Sequence, residues 1–145
     1  GVLQHDIAEI HATRGEYEQA LALEREALAV LRRAGPDGQP DIVAVLGGLG
    51  RAELERGDAA AALPPLRAAL ATIGRADADP ELDAEIRFTL ARALVRLGRE
   101  PTLARRFAGD ARRTFVKLGA RGAPQLAKLD TWWRASGFAG GNPGD

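Results

Sequence analysis

The sequence predicts an all-α protein: a right-handed superhelix of antiparallel helix pairs, with three pairs and a C-terminal capping helix. Three observations support this fold class. The 145 residues are rich in alanine and leucine and only 5% aromatic, a composition that favours helices over sheets. Apolar residues recur every three or four positions, as on one face of a helix. A block of about 42 residues also repeats along the chain.

Three glycines mark the repeat. Gly15, Gly57 and Gly98 lie 42 and 41 residues apart. A small residue stands seven positions before each of them: Ala8, Gly50 and Ala91. Alanines stand five and twelve positions after the first two, and a one-residue insertion gives the third copy the same pair: Ala20 and Ala27, Ala62 and Ala69, Ala104 and Ala111. In each copy this pattern predicts two helices joined by a tight turn, with the glycine of the turn at a positive φ.

We expect one repeat domain over residues 1–136. The predicted repeats cover 2–33, 41–73 and 80–118, a capping helix covers 124–136, and 137–145 form a flexible glycine-rich tail. The predicted helices are 2–14, 16–33, 41–56, 59–73, 80–97, 101–118 and 124–136. Loops are expected at 34–41 and 74–80. Asp58 is placed to cap its helix, and Pro40 and Pro80 fit helix starts.

The last predicted helix has the residues of a cap. Trp132 and Trp133 are adjacent, so they point about 100° apart on a helix. We expect one of them, with Leu126 and Leu129, to cover the last repeat, because terminal repeats need a covering element.

Composition excludes several classes of protein. The absence of cysteine excludes disulfides and thiolate chemistry and fits a cytoplasmic location. No apolar run approaches the roughly 20 residues that span a bilayer. The formal charge is zero, but residues 1–84 carry −7 and residues 85–145 carry +7. This asymmetry is compatible with two solvated surfaces, with an acidic partner, or with self-association; nucleic-acid motifs are absent.

The glycine-rich stretch VLGGLGRAELERGD at 45–58 raises the possibility of a phosphate loop. Such a loop follows a strand and opens a helix, whereas these glycines lie inside an apolar helical pattern with the wrong spacing. Gly50 falls where other copies carry alanine, so we interpret it as a packing residue. Gly47 and Gly48 leave a smooth patch that is either a contact surface or simply a weak stretch of helix.

No catalytic, cofactor-binding or metal site is predicted, so we do not expect an enzyme. His5 and His11 are six residues apart and fall on different helix faces. Ser136, the one serine, lacks a nucleophile pattern around it. Acidic residues on helices are usually solvated.

The repeat resembles the tetratricopeptide repeat over about residues 2–118. The matching residues are Gly50, Gly57, Ala62, Leu66 and Ala69 in the second copy, and Ala8, Gly15, Tyr17, Ala20 and Ala27 in the first. The period near 42 is similar to the longer variant found in kinesin light chains.

A narrower resemblance is to the C-terminal region of bacterial serine/threonine kinases that carry such repeats. It lies in the stretches GGLGRAELERGDAAAALPPLRAAL and DADPELDAEIRFTLARALVRLGRE, the basic helix after them and the final tryptophan-containing helix. This resemblance implies a kinase domain upstream. Because the first pair begins at residue 2 without a polar cap before it, we also expect further repeats to precede it.

Stacked helix pairs line a concave groove with the first helix of each pair. By helical phase we expect this groove to contain His5, Glu9, Gly47, Arg51, Phe88, Arg92 and Arg96. Arg51 and Arg92 share a register and could grip an acidic peptide, or each could pair with an acid of its own scaffold. The predicted function is recognition of a partner protein or peptide. Two alternatives are a self-associating structural module and a small-ligand sensor coupled to a catalytic domain.

Overall fold

The chain is all-helical and built from helix pairs, as predicted. The computed structural model describes residues 1–74 and 79–138. Seven α-helices lie in the described residues: α1 Val2–Thr13, α2 Tyr17–Ala34, α3 Gln39–Glu55, α4 Ala59–Ile73, α5 Pro80–Leu97, α6 Pro101–Lys117 and α7 Ala123–Ala135. They form two compact units, Gly1–Ala78 (unit 1) and Asp79–Asp145 (unit 2). Most of the loop expected at 74–80, and the expected tail from residue 139 onward, lie outside the described residues.

The link between the first two repeats differs from the expected loop at 34–41. Residues Pro36–Gly38 form one turn of 3-10 helix, and α3 begins at Gln39. Pro40 occupies the first turn of α3, where a missing N–H leaves no helical hydrogen bond unmade. The helical geometry therefore starts two residues before the predicted boundary.

The three turns of the repeat are the same structure. Gly15, Gly57 and Gly98 have φ values of 76°, 100° and 63°, which confirms the predicted left-handed conformation. In each turn the residue after the glycine donates its N–H to a carbonyl five residues earlier, at 2.9, 2.9 and 3.0 Å. Each glycine N–H donates to the carbonyl three residues earlier, at 3.0 Å. This is the Schellman pattern, in which a positive φ lets the chain reverse and satisfies the last helical carbonyls.

The second helices of the second and third pairs have different N-terminal caps. Asp58 caps α4 by accepting a hydrogen bond from the Ala61 N–H at 2.9 Å, as predicted. The insertion in the third copy delays α6 to Pro101 and leaves Glu100 at a φ of 45°. A non-glycine residue is strained there, so the third turn departs from the repeat at this position.

Unit 1 packs through small residues. α1 packs on α2, α2 on α3, and α3 on α4. The repeat alanines Ala8, Ala20, Ala27, Ala62 and Ala69 are all buried. A Cβ added at Gly50 would lie 2.3 Å from Leu66 Cγ, so the glycine lets α4 approach α3 closely. The interpretation of Gly50 as a packing residue is confirmed.

Unit 2 has its own core between α5, α6 and α7. Its buried cluster contains Ala84, Phe88, Ala111, Phe115 and Leu129, with Leu126 and Trp132 packed against it. Trp133 is buried as well. α7 therefore covers the preceding helix pair with the two expected leucines and with Trp132, while the second tryptophan, which we expected to be more exposed, is buried too.

Replacing Gly50 by alanine should lower the free energy of unfolding. The clash with Leu66 costs about 1–3 kcal/mol of overpacking, set against about 1 kcal/mol of gained helix propensity. In a double-mutant cycle with Leu66→Ala, measured by urea denaturation, the double variant should lose less than the sum of the single losses. Additive losses would show that the two residues do not compete for the same space.

Candidate functional site

Unit 1 gathers four polar side chains from three helices. His5 and Glu9 are one turn apart on α1, Glu24 comes from α2, and Arg51 comes from α3. Residues four apart on a helix share a face, so His5 and Glu9 point to the same side of α1. We call these four residues the polar cluster. All except Glu24 belong to the groove predicted from the sequence.

A buried ion pair forms the centre of the polar cluster. The His5 Nδ1 atom lies 2.9 Å from Glu24 Oε1 and 3.0 Å from Oε2. The Glu24 side chain is only 2% exposed, whereas that of His5 is 20% exposed. A buried carboxylate is costly unless a hydrogen-bonded cation accompanies it, and His5 fulfils that role. The pair therefore links α1 to α2, with Glu24 in the interior and the His5 side chain partly exposed to solvent.

Gly48 makes room for this carboxylate. A Cβ at position 48 would lie 2.1 Å from Glu24 Oε1 and 3.4 Å from His5 Cε1. Any other residue would push the Glu24 carboxylate away. Gly48 is thus a packing residue of α3 toward the ion pair. The two alternatives that the sequence suggested for it, a contact surface and a weak stretch of helix, were both wrong. Gly47, its neighbour, is partly exposed and lies one turn before Arg51.

The two groups of the pair both favour a bound proton. The hydrogen bond to Glu24 raises the pKa of His5 above its ordinary value; burial lowers it by less, and the charges of Glu24 and Glu9 add to the rise. Burial raises the pKa of Glu24, because a carboxylate loses its hydration, and the hydrogen bond from His5 opposes this. The His5 Nδ1 atom lies within hydrogen-bond distance of both carboxylate oxygens, so a hydrogen on Nδ1 donates to Glu24.

Arg51 pairs with Glu9 across the repeat. Glu9 and Arg51 are 42 residues apart, and the Arg51 Nη2 atom donates to Glu9 Oε2. Both side chains are more than a third exposed. Of the two possibilities for Arg51, pairing with an acid of its own scaffold is therefore the one found in the chain. An exposed ion pair of this kind contributes about 0–1 kcal/mol, so an incoming carboxylate can replace Glu9 at little cost.

The polar cluster also contains a set of metal-type donors. His5, Glu9 and Glu24 each offer a ligand atom, and these atoms lie within 4.8 Å of one another. Imidazole and carboxylate groups are zinc ligands. An ion would have to displace the His5 proton and compete with Arg51 for Glu9. The spacing of His5 and His11 did not predict this set, because Glu24 lies on another helix and the His11 Nδ1 atom contacts Glu16 instead.

The predicted groove residues of unit 2 differ in exposure. Phe88 is buried in the unit 2 core, with its ring centroid 5.5 Å from that of Trp132. Its side chain therefore offers little surface to a partner. The Arg92 guanidinium lies over the Phe88 ring at 5.7 Å and is half-buried. Arg96, one turn further along α5, is exposed. The prediction that these arginines share a groove with Arg51 stays a prediction.

Sequence reasoning missed Glu24. The repeat register aligns Glu24 with Leu66, a fully buried leucine of α4. A charged residue at a leucine position is a signal that could have singled it out. The register could not identify His5 as the partner of Glu24, because the residue that aligns with His5 in the second copy is Gly47, which has no side chain. Among the described residues, no buried side-chain nitrogen or oxygen lacks a hydrogen-bond partner.

Comparison with known proteins gives a family match. A family model described as "Tetratricopeptide repeat" matches residues 1–73, just over half of the chain and nearly all of unit 1. Neither a curated protein nor a solved structure gave a significant match. Within the described part of the chain, every helix is too short or too polar to cross a membrane.

The His5–Glu24 pair should make stability depend on pH. A raised folded-state pKa contributes stability that is fully present below the unfolded histidine pKa, about 6.5, and is lost as the pH rises through the folded value. The free energy of unfolding, measured by urea denaturation from pH 6 to 9, should therefore fall more steeply for the wild type than for Glu24→Gln, which removes the carboxylate that raises the pKa of His5 and that titrates itself. Equal slopes would contradict the pairing.

Replacing Gly48 by alanine should release His5. The new Cβ displaces the Glu24 carboxylate, so the pKa of His5 should fall toward its ordinary value in an NMR titration of the imidazole ring. Gly50→Ala is the matched control, since it brings the same helix propensity but meets Leu66. If both variants leave the His5 titration unchanged, Gly48 is not what accommodates the carboxylate.

Proposed function

This chain belongs to the tetratricopeptide repeat family, and we propose that it is a non-catalytic scaffold that binds an acidic segment of a partner protein. Tetratricopeptide repeats generally mediate protein–protein interaction, and their helical repeat fold is typically non-catalytic. In this proposal the partner contacts unit 1 at His5, Glu9, Gly47 and Arg51. Phe88, Arg92 and Arg96 of unit 2 stay predictions from the sequence.

The observation that carries the proposal is the exposed Glu9–Arg51 pair above a buried, organised ion pair. Arg51 presents a planar fork that matches a carboxylate, and its present partner is held by an exposed contact. A peptide carboxylate can take the place of Glu9 on Arg51. Gly47 leaves the adjoining turn of α3 without a side chain, so a peptide backbone can approach there.

A finer assignment rests on the sequence resemblance. The 42- and 41-residue spacings support placing the repeats in the longer, kinesin-light-chain-like type. The similarity to the C-terminal region of bacterial serine/threonine kinases supports a role in recruiting substrates or regulators to a kinase domain. Co-purification of the chain with such a kinase domain, and a loss of substrate phosphorylation when the repeats are removed, would test this role.

Self-association is a second candidate, favoured by the charge distribution. The −7 balance of residues 1–84 and the +7 balance of residues 85–145 allow copies to attract one another. Light scattering coupled to gel filtration tests this over a concentration series. A monomer at both low and high salt leaves partner binding as the function, whereas a larger, salt-sensitive mass favours self-association.

Peptide selection from a random display library should yield binders with Asp, Glu or a C-terminal carboxylate. Arg51→Ala should weaken such a peptide up to about fivefold, the limit expected for an exposed ion pair. Glu9→Gln should strengthen it, because Arg51 loses its competing carboxylate. Arg33→Ala, at an exposed arginine near the end of α2, is the matched control and should leave affinity unchanged. Binders without acidic groups, or indifference to Arg51→Ala, would contradict the proposal.

A further inference from the structure

Three side chains of the polar cluster bring metal-type donor atoms close together. A ring nitrogen of His5 and carboxylate oxygens of Glu9 and Glu24 lie within 4.8 Å of one another. His5 and Glu9 are four residues apart on α1, the spacing at which two ligands on one helix bind the same zinc ion. Glu24 comes from α2. The fold therefore brings three ligands together from two helices.

Glu24 is a buried carboxylate with few hydrogen bonds. Its side chain is 2% exposed, and both of its oxygens lie near one atom, His5 Nδ1, at 2.9 and 3.0 Å. Among the residues that the structure describes, no other hydrogen-bond donor reaches this carboxylate. One N–H cannot align well with two oxygens, and an ionised carboxylate has about four acceptor positions. The burial of Glu24 is therefore only partly compensated, and a divalent cation beside it would compensate it further.

We propose that His5, Glu9 and Glu24 bind a zinc ion. Imidazole and carboxylate groups are zinc ligands, and an open zinc site has three protein ligands and a water molecule in the fourth position. The two carboxylates match the double charge of the ion, since a neutral imidazole adds none. The ring nitrogen of His5 that binds zinc releases its hydrogen to solvent. Magnesium and calcium fit less well, because both ions take oxygen ligands.

The surroundings give the ion space and access. Gly48 leaves the Glu24 carboxylate its place beside His5, because a Cβ there would lie 2.1 Å from Oε1. The side chains of His5 and Glu9 are 20% and 36% exposed, so an ion can reach the donors from solvent. Tetrahedral zinc holds its ligand atoms about 3.3 Å apart, each about 2.0 Å from the metal. Ligand atoms that lie within 4.8 Å of one another reach that spacing by side-chain rotation.

Arg51 competes with the ion for Glu9. It donates to Glu9 in an exposed pair, and such a pair alters an equilibrium only up to about fivefold. The zinc site needs no partner, so it does not depend on the proposed function, although the two share Glu9. Their variants separate them. Glu9→Gln should strengthen an acidic peptide but weaken zinc, whereas Arg51→Ala should weaken the peptide and strengthen zinc.

Isothermal titration of zinc chloride into the chain, free of any histidine tag, measures the affinity. His5→Gln should weaken zinc by more than about tenfold, because groups that merely orient a ligand are already worth that much. His11→Gln is the matched control, since His11 lies on the same helix but contacts Glu16 and is outside the set. Glu9→Gln should also weaken zinc, with Glu26→Gln, at an exposed position of α2, as its control.

The ring signals of the two histidines report where the ion binds. The chain has only His5 and His11, so the His11→Gln variant assigns their ring protons in an NMR spectrum. Zinc should shift the His5 signals and leave those of His11 in place. Glu9 is partly exposed, so Glu9→Gln should remain folded by circular dichroism, and its loss of zinc is then not a loss of structure.

Three results would overturn the proposal. The first is no binding of zinc at millimolar concentration. The second is equal weakening by His5→Gln and His11→Gln, or equal shifts of both rings, which would make the bound ion adventitious. The third is a zinc affinity that Glu9→Gln leaves unchanged.

Discussion

Two missing side chains on α3 govern the packing of unit 1. Gly48 faces Glu24 of α2, and Gly50 faces Leu66 of α4, so each glycine admits a neighbour that a single methyl group would hold away. Being two residues apart, they open different sides of one helix. Both α2 and α4 therefore pack closely on α3. The cost of two glycines in a helix, about 1 kcal/mol each, is offset by the packing that they permit.

The same constraint shapes the surface. Because Gly48 leaves space for a carboxylate, Glu24 is held in the interior at a position where the next repeat has a leucine, and it fixes His5 on α1. His5 in turn lies one helical turn from Glu9, which meets Arg51 on α3. The buried His5–Glu24 pair thus lies beside the exposed Glu9–Arg51 pair. In the proposed function, the His5–Glu24 pair keeps α1 and α2 in position, and a partner's carboxylate competes with Glu9 for Arg51.

The fold was predictable from sequence because its signals are local and repeated. A glycine turn, alanines five and twelve residues later, and an apolar stripe give the helix pairs and their ends to within a few residues, and the same Schellman bonds recur in all three turns. The polar cluster was only partly predictable. Helical phase predicts that Glu9 of α1 and Arg51 of α3 point into the same groove. The pairing of Glu24 with His5 depends on how closely α1, α2 and α3 approach one another, and Gly48 permits that approach. Phe88 shares a register with the partly exposed His5 and Gly47 yet is buried, and Trp132 of α7 packs on its ring.

Hydrogen exchange at single amides, followed by NMR, tests most directly whether α3 is the helix on which unit 1 depends. The amides of α3 between Val43 and Leu54 should exchange only through global unfolding of the unit, with the highest protection found there. α1 should open at lower free energy, because Leu3, Ile7 and Ile10 on it are exposed and add little to its packing. Protection in α3 that is equal to or lower than that in α1 would contradict the account, because the glycines would then loosen α3 instead of seating its neighbours.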